Sequence, residues 1–183
     1  MRMFVAADLT DEQRNELRAK VEEAKLAAPF DYIRWIPEEN WHATLAFIGD
    51  RAEEDFDQVV GQIDKVMATS EELAGRPSRI QGFPHRDRPR LLALKLEPAV
   101  GIQKLHWNLT QALGIRADRN FRLHVTIARF RDLGKEDAHT LNHAIKDLSA
   151  IDRGPWHFQA VTLYESVLKQ SGAEYKVVRT WPE

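Results

Sequence analysis

His42-Ala43-Thr44-Leu45 and His124-Val125-Thr126-Ile127 are the stretches on which the reading of this chain turns. The same pattern, a His, an apolar residue, a Thr and a branched aliphatic, stands once in each half of 183 residues, with the two histidines 82 positions apart. In an extended segment, residues i and i+2 point to the same side, with Cβ atoms about 7 Å apart. Trp41, Ala43, Leu45 and Phe47 then form one apolar face and leave His42 with Thr44 on the other. Leu123, Val125 and Ile127 do the same for His124 with Thr126. Two such walls facing one another place two imidazoles and two hydroxyls around a single small anion. That is an arrangement for phosphate chemistry that needs no metal and no cofactor.

Working outward, apolar residues switch between strand and helix periods along the whole chain. Residues 2–8 read as a strand, and Thr10 with Gln13 is a capping-box start for a helix reaching about Ala27. A turn at Ile36-Pro37-Glu38-Glu39-Asn40 leads into the first His strand, which stops at Gly49. Phe56, Val59, Val60, Ile63, Val66 and Met67 mark a second helix. Strands follow over about 78–83 and 90–96, separated by Pro84-His85-Arg86-Asp87-Arg88-Pro89. Pro98 fits the first turn of a helix whose stripe runs Val100, Ile102, Leu105, Leu109, Ala112 and Leu113 before Gly114 ends it. After the second His strand come a helix from about Lys135 to Leu148 and strands near 156–167 and 175–181. Each His run precedes a predicted helix, the pattern of a duplicated half, although the halves share little else.

The composition is that of an ordinary globular domain, 43% hydrophobic and 30% charged. A formal net charge of −2 provides no overall basic field, so contact with nucleic acid rests on a local patch. The absence of Cys excludes thiol catalysis, thiolate metal sites and disulfides. No run approaches a membrane span and the apolar start is too short for a signal peptide, so a cytoplasmic monomer is expected.

The paired strands resemble those of the 2H phosphoesterase superfamily, and their flanks resemble the RNA 2′,3′-cyclic phosphodiesterase family, historically called 2′-5′ RNA ligases. Arg34-Trp35-Ile36-Pro37-Glu38-Glu39-Asn40-Trp41-His42-Ala43-Thr44-Leu45-Ala46-Phe47-Ile48-Gly49 is close to that family's first motif, and Phe121-Arg122-Leu123-His124-Val125-Thr126-Ile127-Ala128-Arg129 to its second. The opening strand ending near Asp8, the segment from Phe83-Pro84 to Pro89-Arg90 and the late Val161-Thr162-Leu163-Tyr164-Glu165-Ser166 strand are also similar, so the likeness spans nearly the whole chain. Leu123 stands where the family often has Pro, and Ile127 where it usually has Leu; both keep the segment extended and apolar. The resemblance implies an α+β fold of two pseudo-symmetric lobes, each a mainly antiparallel sheet with helices outside, forming one domain over residues 1–183. The catalytic cleft lies between the lobes.

Opening a cyclic phosphate requires one group to take a proton from water while another, across the phosphorus, gives one to the departing ribose oxygen. Imidazole suits both tasks, its ordinary pKa being about 6.5. Thr44 and Thr126 then hold the non-bridging oxygens. The family's usual assignment makes His124 the base and His42 the acid, with a 2′-phosphate as product; the residues alone do not order the two. The reverse reaction joins such an end to a 5′-hydroxyl through a 2′-5′ linkage. The resemblance gives Arg129 a phosphate contact, yet simple alternation turns Arg129 away from His124, so either the strand ends or bulges near Ala128 or Arg129 reaches the site by another route.

The expected partners are RNA ends bearing 2′,3′-cyclic phosphate, tRNA-derived ends among them, or related nucleotides. Arg79, Arg86, Arg88 and Arg90 beside Phe83 form a basic cluster suited to RNA or to solvent. Trp35, Trp41 and Trp107 are candidates for stacking a base, with core packing the better reading for Trp41. His139 and His143 stand at i, i+4 without a His-Glu-x-x-His motif, so a solvated helix face is the better reading than a metal site. His85, His106 and His157 have no evident partner. The alternatives are a sister specificity for 2′-5′ oligonucleotides or cyclic nucleotides, a non-catalytic RNA-end or nucleotide-binding module, and a metal-dependent hydrolase.

Overall fold

The computed structural model describes residues 1–170 and 172–182. The first strand, β1 (Arg2–Asp8), is buried on both faces: Met3, Phe4, Val5, Ala6 and Ala7 are each at most 3% exposed. Such an unbroken apolar run belongs at the centre of a sheet. α1 (Asp11–Ala27) opens on the expected capping box of Thr10 with Gln13, has Asp11 and Glu12 in its first turn and Lys25 in its last, and buries Leu17, Val21 and Ala24. The two-residue strand β2 (Arg34–Trp35) precedes the first His strand, β3 (His42–Asp50). α2 (Phe56–Met67) follows as read from its apolar period.

β4 (Ala74–His85) and β5 (Arg88–Pro98) form a longer hairpin than the sequence indicated. Pro84 and Pro89 pair at its end, beside the turn. Pro98 therefore closes a strand, and α3 (Val100–Ala112) starts after an extended Ala99. Gly114, with φ +61°, turns the chain away after α3. β6 (His124–Arg129) is the second His strand, and α4 (Lys135–Ile145) the helix after it. The single strand expected near 156–167 is two. β7 (Trp156–His157) pairs with β4, whereas β8 (Val161–Lys169) crosses to β1 and continues into β9 (Gly172–Trp181).

All these strands join one curled antiparallel sheet in the order β7-β4-β5-β6-β3-β1-β8-β9, with β2 added alongside β6. The class is α+β, and the pseudo-symmetry is visible in the path: β1-α1-β3-α2 and β5-α3-β6-α4 are matching strand–helix–strand–helix units. Each unit puts its His strand innermost, and the two halves meet at one residue pair, Ala43 opposite Val125. The two walls are thus neighbours in one sheet rather than faces of separate sheets. Among the described residues, no helix is long and apolar enough to cross a membrane.

Candidate active site

The register fixes the geometry. With Ala43 opposite Val125, continuing one residue in each direction sets His42 opposite Thr126 and Thr44 opposite His124. The four side chains make a square on one face of the sheet. On this register each imidazole faces a hydroxyl and the two imidazoles stand on a diagonal. All four are half-buried, while Ala43, Leu45, Val125 and Ile127 beneath them are at most 1% exposed.

Both His strands bulge at the same point. Thr126 pairs with Ala93 and Ala128 with Leu92, leaving Ile127 without a partner in β5. Thr44 pairs with Ala6 and Ala46 with Val5, leaving Leu45 without a partner in β1. An inserted residue reverses the alternation beyond it. Arg129 consequently pairs with Leu91, on the side of β5 that also carries Ala93 and Lys95, the partners of Thr126 and His124. The guanidinium shares the face of His124, and its positive charge disfavours the charged form of both imidazoles. The equivalent bulge corrects the reading of Phe47. It pairs with Phe4, whose ring lies 4.9 Å from His42, and is 52% exposed on the cleft side rather than packed with Trp41. Trp41 is in the core, as expected, its Nε1 donating to the Ile36 carbonyl at 3.1 Å.

Each imidazole is tied by the same bond. His42 Nδ1 donates to the Asn40 carbonyl and His124 Nδ1 to the Arg122 carbonyl, both at 2.8 Å. A carbonyl only accepts, so Nδ1 carries the proton and Nε2 is left for the cleft. Beyond that bond the surroundings diverge. His42 sits among Phe4, Tyr164 and Tyr175, the last edge-on at 5.2 Å. Asp8, its partner across β1, accepts from Tyr164 at 2.7 Å and from Thr162 at 2.5 Å. His124 stacks on Phe83 at 4.6 Å, and the Arg122 guanidinium lies over that same ring.

Burial is the main influence on both, and it pulls both pKa values below the ordinary range, His42 to about 4. Opposing this, the Asp8 carboxylate favours a charged His42; on the other side, Arg122 adds to Arg129 in disfavouring a charged His124. Burial first, and then the bond to Asp8, raise the Tyr164 hydroxyl.

Phe4, Asp8, Tyr164 and Tyr175 escape a reading of the sequence for site residues, because they arrive from other strands with no motif around a His; Arg122 stands in the second motif and Phe83 beside the basic cluster, each without a site role read for it. The other candidates fall elsewhere. Arg86 donates to Gln81 and Arg90 pairs with Asp132 on the β4–β5 hairpin, where Arg79 and Arg88 are exposed. Trp107 is exposed on α3, and the Lys25 ammonium lies 5.9 Å from the Trp35 ring. His139, His143 and His85 are exposed. His157 pairs with Glu72, and His106 is buried with its Nδ1 on the Leu45 carbonyl. Among the described residues, no three His, Cys, Asp or Glu side chains converge as a metal site.

The sequence model of the LigT-like phosphoesterases matches residues 8–93 and 95–175. The chain is 24% identical to an RNA 2′,3′-cyclic phosphodiesterase of Archaeoglobus fulgidus over 99% of both proteins. It is 27% identical to one of Thermotoga maritima, covering 97% of this chain and 93% of that protein. Among solved structures, TT0787 of Thermus thermophilus superposes with a TM-score of 0.77 at 26% identity, covering 98% of this chain and 96% of the other. Apo LigT of E. coli has the same fold, with a TM-score of 0.74 at 20% identity over 98% and 95%.

Proposed function

The chain belongs to the LigT-like phosphoesterase family, and from that premise we propose that it hydrolyses the 2′,3′-cyclic phosphate at an RNA end to a 2′-phosphate, without a metal. The observation that carries this reading is the square itself. Two imidazoles, each with Nδ1 held by a backbone carbonyl, present Nε2 from opposite corners with a hydroxyl at each remaining corner. A phosphorus centred there has a proton acceptor on one side and a proton donor on the other, which is what in-line displacement by water requires. Thr44 and Thr126 donate to its non-bridging oxygens, and Arg129 adds a charge-assisted bond to the same group.

The surroundings support an order for the two. In the free protein both rings are neutral at pH 7, since burial holds both low. A bound phosphodiester anion supplies the counter-charge that burial withholds and draws in a proton. Burial holds His42 at about 4 and Arg129 disfavours a charge on either ring; what favours the proton on His42 is the Asp8 carboxylate, and what disfavours it on His124 alone is Arg122. His42 is then the acid that protonates the departing 3′ oxygen, and His124 the base that takes the proton from water. Run backwards, the same geometry joins the cyclic end to a 5′-hydroxyl, with hydrolysis favoured by the excess of water.

A short RNA ending in 2′,3′-cyclic phosphate, incubated in excess EDTA with wild type, His42→Ala and His124→Ala, tests the reading. Conversion to a 2′-phosphate by wild type alone is expected. A 3′-phosphate product, loss of activity in EDTA or turnover indifferent to both substitutions refutes it. Binding without turnover points to a non-catalytic RNA-end module.

A further inference from the structure

β2 is two residues long, and it sets two like charges against each other. Arg34 pairs with Arg129 and Trp35 with Ala128, and the Ile36 amide donates to the carbonyl of the bulged Ile127 at 2.9 Å. Directly paired residues share a face of the sheet, so Arg34 lies on the cleft face with Arg129. Trp35 turns to the far face, where the Lys25 ammonium of α1 lies over its ring. Like charges directly opposite one another destabilise a sheet. Both arginines are exposed, and among the described residues neither meets a carboxylate. Glu38, in the turn between β2 and β3, is taken by Arg18. Basic side chains on the neighbouring β5 are compensated, Arg90 by Asp132 and Lys95 by Glu97.

The pair stands just beyond the square. The partners of Thr126 and Arg129 are Ala93 and Leu91, two residues apart on β5, a step of about 7 Å. It lies at the His42 and Thr126 end, because β2 continues along β6 from where β3 leaves it. The two guanidinium groups act at different places. Arg129 disfavours a charge on both imidazoles, whereas Arg34 figures among the influences on neither. Arg129 thus reaches back to the square, and Arg34 is left to an anion outside it.

We propose that Arg34, with Arg129 beside it, forms a second phosphate site, which takes the phosphate on the 5′ oxygen of the ribose whose 2′,3′-cyclic phosphate lies in the square. This rests on the reading of the square as a phosphate site with His42 as the acid. The departing 3′ oxygen, and with it the ribose, then lies at the His42 end, and the next phosphate along the chain leaves over the arginine pair. An anion between opposed guanidinium groups turns their repulsion into attraction for both. At an RNA end that phosphate is the diester to the preceding nucleotide, and in a free nucleotide it is a 5′-monoester. A nucleoside cyclic phosphate with a 5′-hydroxyl leaves the site unfilled and is the poorer ligand.

Titration calorimetry at low ionic strength tests this with adenosine 2′-phosphate, adenosine 2′,5′-bisphosphate and the adenosine dinucleotide ending in the same 2′-phosphate. The proteins are wild type, Arg34→Gln and Arg34→Glu. The Arg34 side chain makes no hydrogen bond or ion pair among the described residues, so neither substitution removes a contact that holds the fold. In wild type a phosphate on the 5′ oxygen is expected to tighten binding at least about tenfold, the size of a charge-assisted contact. A gain from both larger ligands supports a site for chain ends, and a gain from the bisphosphate alone a site for free nucleotides. Arg34→Gln is expected to erase most of the gain while affinity for adenosine 2′-phosphate stays within about twofold. Arg34→Glu is expected to turn the gain into a penalty.

A wild type indifferent to the 5′ phosphate, a gain that survives Arg34→Gln, or an equal fall for adenosine 2′-phosphate overturns the proposal. Because binding needs no turnover, failure of the hydrolysis reading appears separately, as tightened binding of the bisphosphate with no reaction of the cyclic phosphate.

Discussion

The two histidine strands are nearly the same object built twice, and they are informative where they stop matching. His42-Ala43-Thr44-Leu45-Ala46 and His124-Val125-Thr126-Ile127-Ala128 share alternation, a bulge at the fourth residue and a Nδ1 bond to the carbonyl two residues back. The sixth position differs: Phe47 in one, Arg129 in the other. So do the neighbours. β1, β8 and β9 bring a carboxylate and two tyrosines to His42, whereas Arg122 and Phe83 flank His124. A duplicated backbone supplies two like-placed imidazoles, and unlike neighbours give them unlike tasks.

The largest effect comes from removing either ring. His42→Gln and His124→Gln are each expected to lower kcat on a cyclic phosphate end by about 10²–10⁴-fold, the usual contribution of a positioned acid or base. What separates the two is the leaving group. On bis(p-nitrophenyl) phosphate the departing phenolate needs no proton, so the acid has little to do while the base is still needed. His42→Gln should therefore recover at least about tenfold of its deficit on that substrate, and His124→Gln none. The opposite ranking reverses the proposed order.

The next effect is on stability. A His whose folded pKa lies below its unfolded value is a liability in acid, because the unfolded chain binds the proton first. The stability is whole above about pH 6.5 and falls as pH drops towards the folded pKa, for His42 about 4. The loss from His42 alone is about 2–3 kcal/mol over that window. Chemical denaturation at pH 7.5 and pH 4.5 should show a smaller acid loss in His42→Gln than in wild type. Equal losses mean that His42 titrates normally and that its aromatic surroundings exclude less water than the packing implies.

Much of this was legible in the residues. The capping box at Thr10, the apolar stripes of the helices and the fully apolar β1 each carry their own signal, and all three fall where read. The square was legible because i, i+2 alternation holds from His42 to Thr44 and from His124 to Thr126. The alternation failed one residue later, at the bulges, since a run such as Leu45-Ala46-Phe47 is apolar whichever way it faces. Arg129 was the one clue, a charged side chain at an apolar parity that a bulge in β6 accounts for; the matching bulge in β3, before Phe47, shows only in the pairing with β1. Asp8, Tyr164 and Tyr175 left no such trace. They reach His42 through the pairing of β1 with β3 and β8 and of β8 with β9, and long-range pairing is decided by the whole sheet rather than by any local stretch.

The smallest effect tests the charge asymmetry by itself. Asp8→Asn keeps the side chain's shape and a hydrogen-bonding oxygen for Tyr164 or Thr162, yet removes the negative charge that favours a protonated His42. If His42 is the acid, its pKa in the substrate complex sets the alkaline limb of the rate profile, where activity is lost as the acid deprotonates. Removing the carboxylate should move that limb down by about half a unit to one unit, costing about three- to tenfold in kcat at the pH of the old limb. The acidic limb, set by protonation of His124, should stay in place, because Asp8 does not figure among the influences on that ring. A shift of the acidic limb alone places the base at His42, and no shift in either means that Asp8 serves only the packing of β1 against β8.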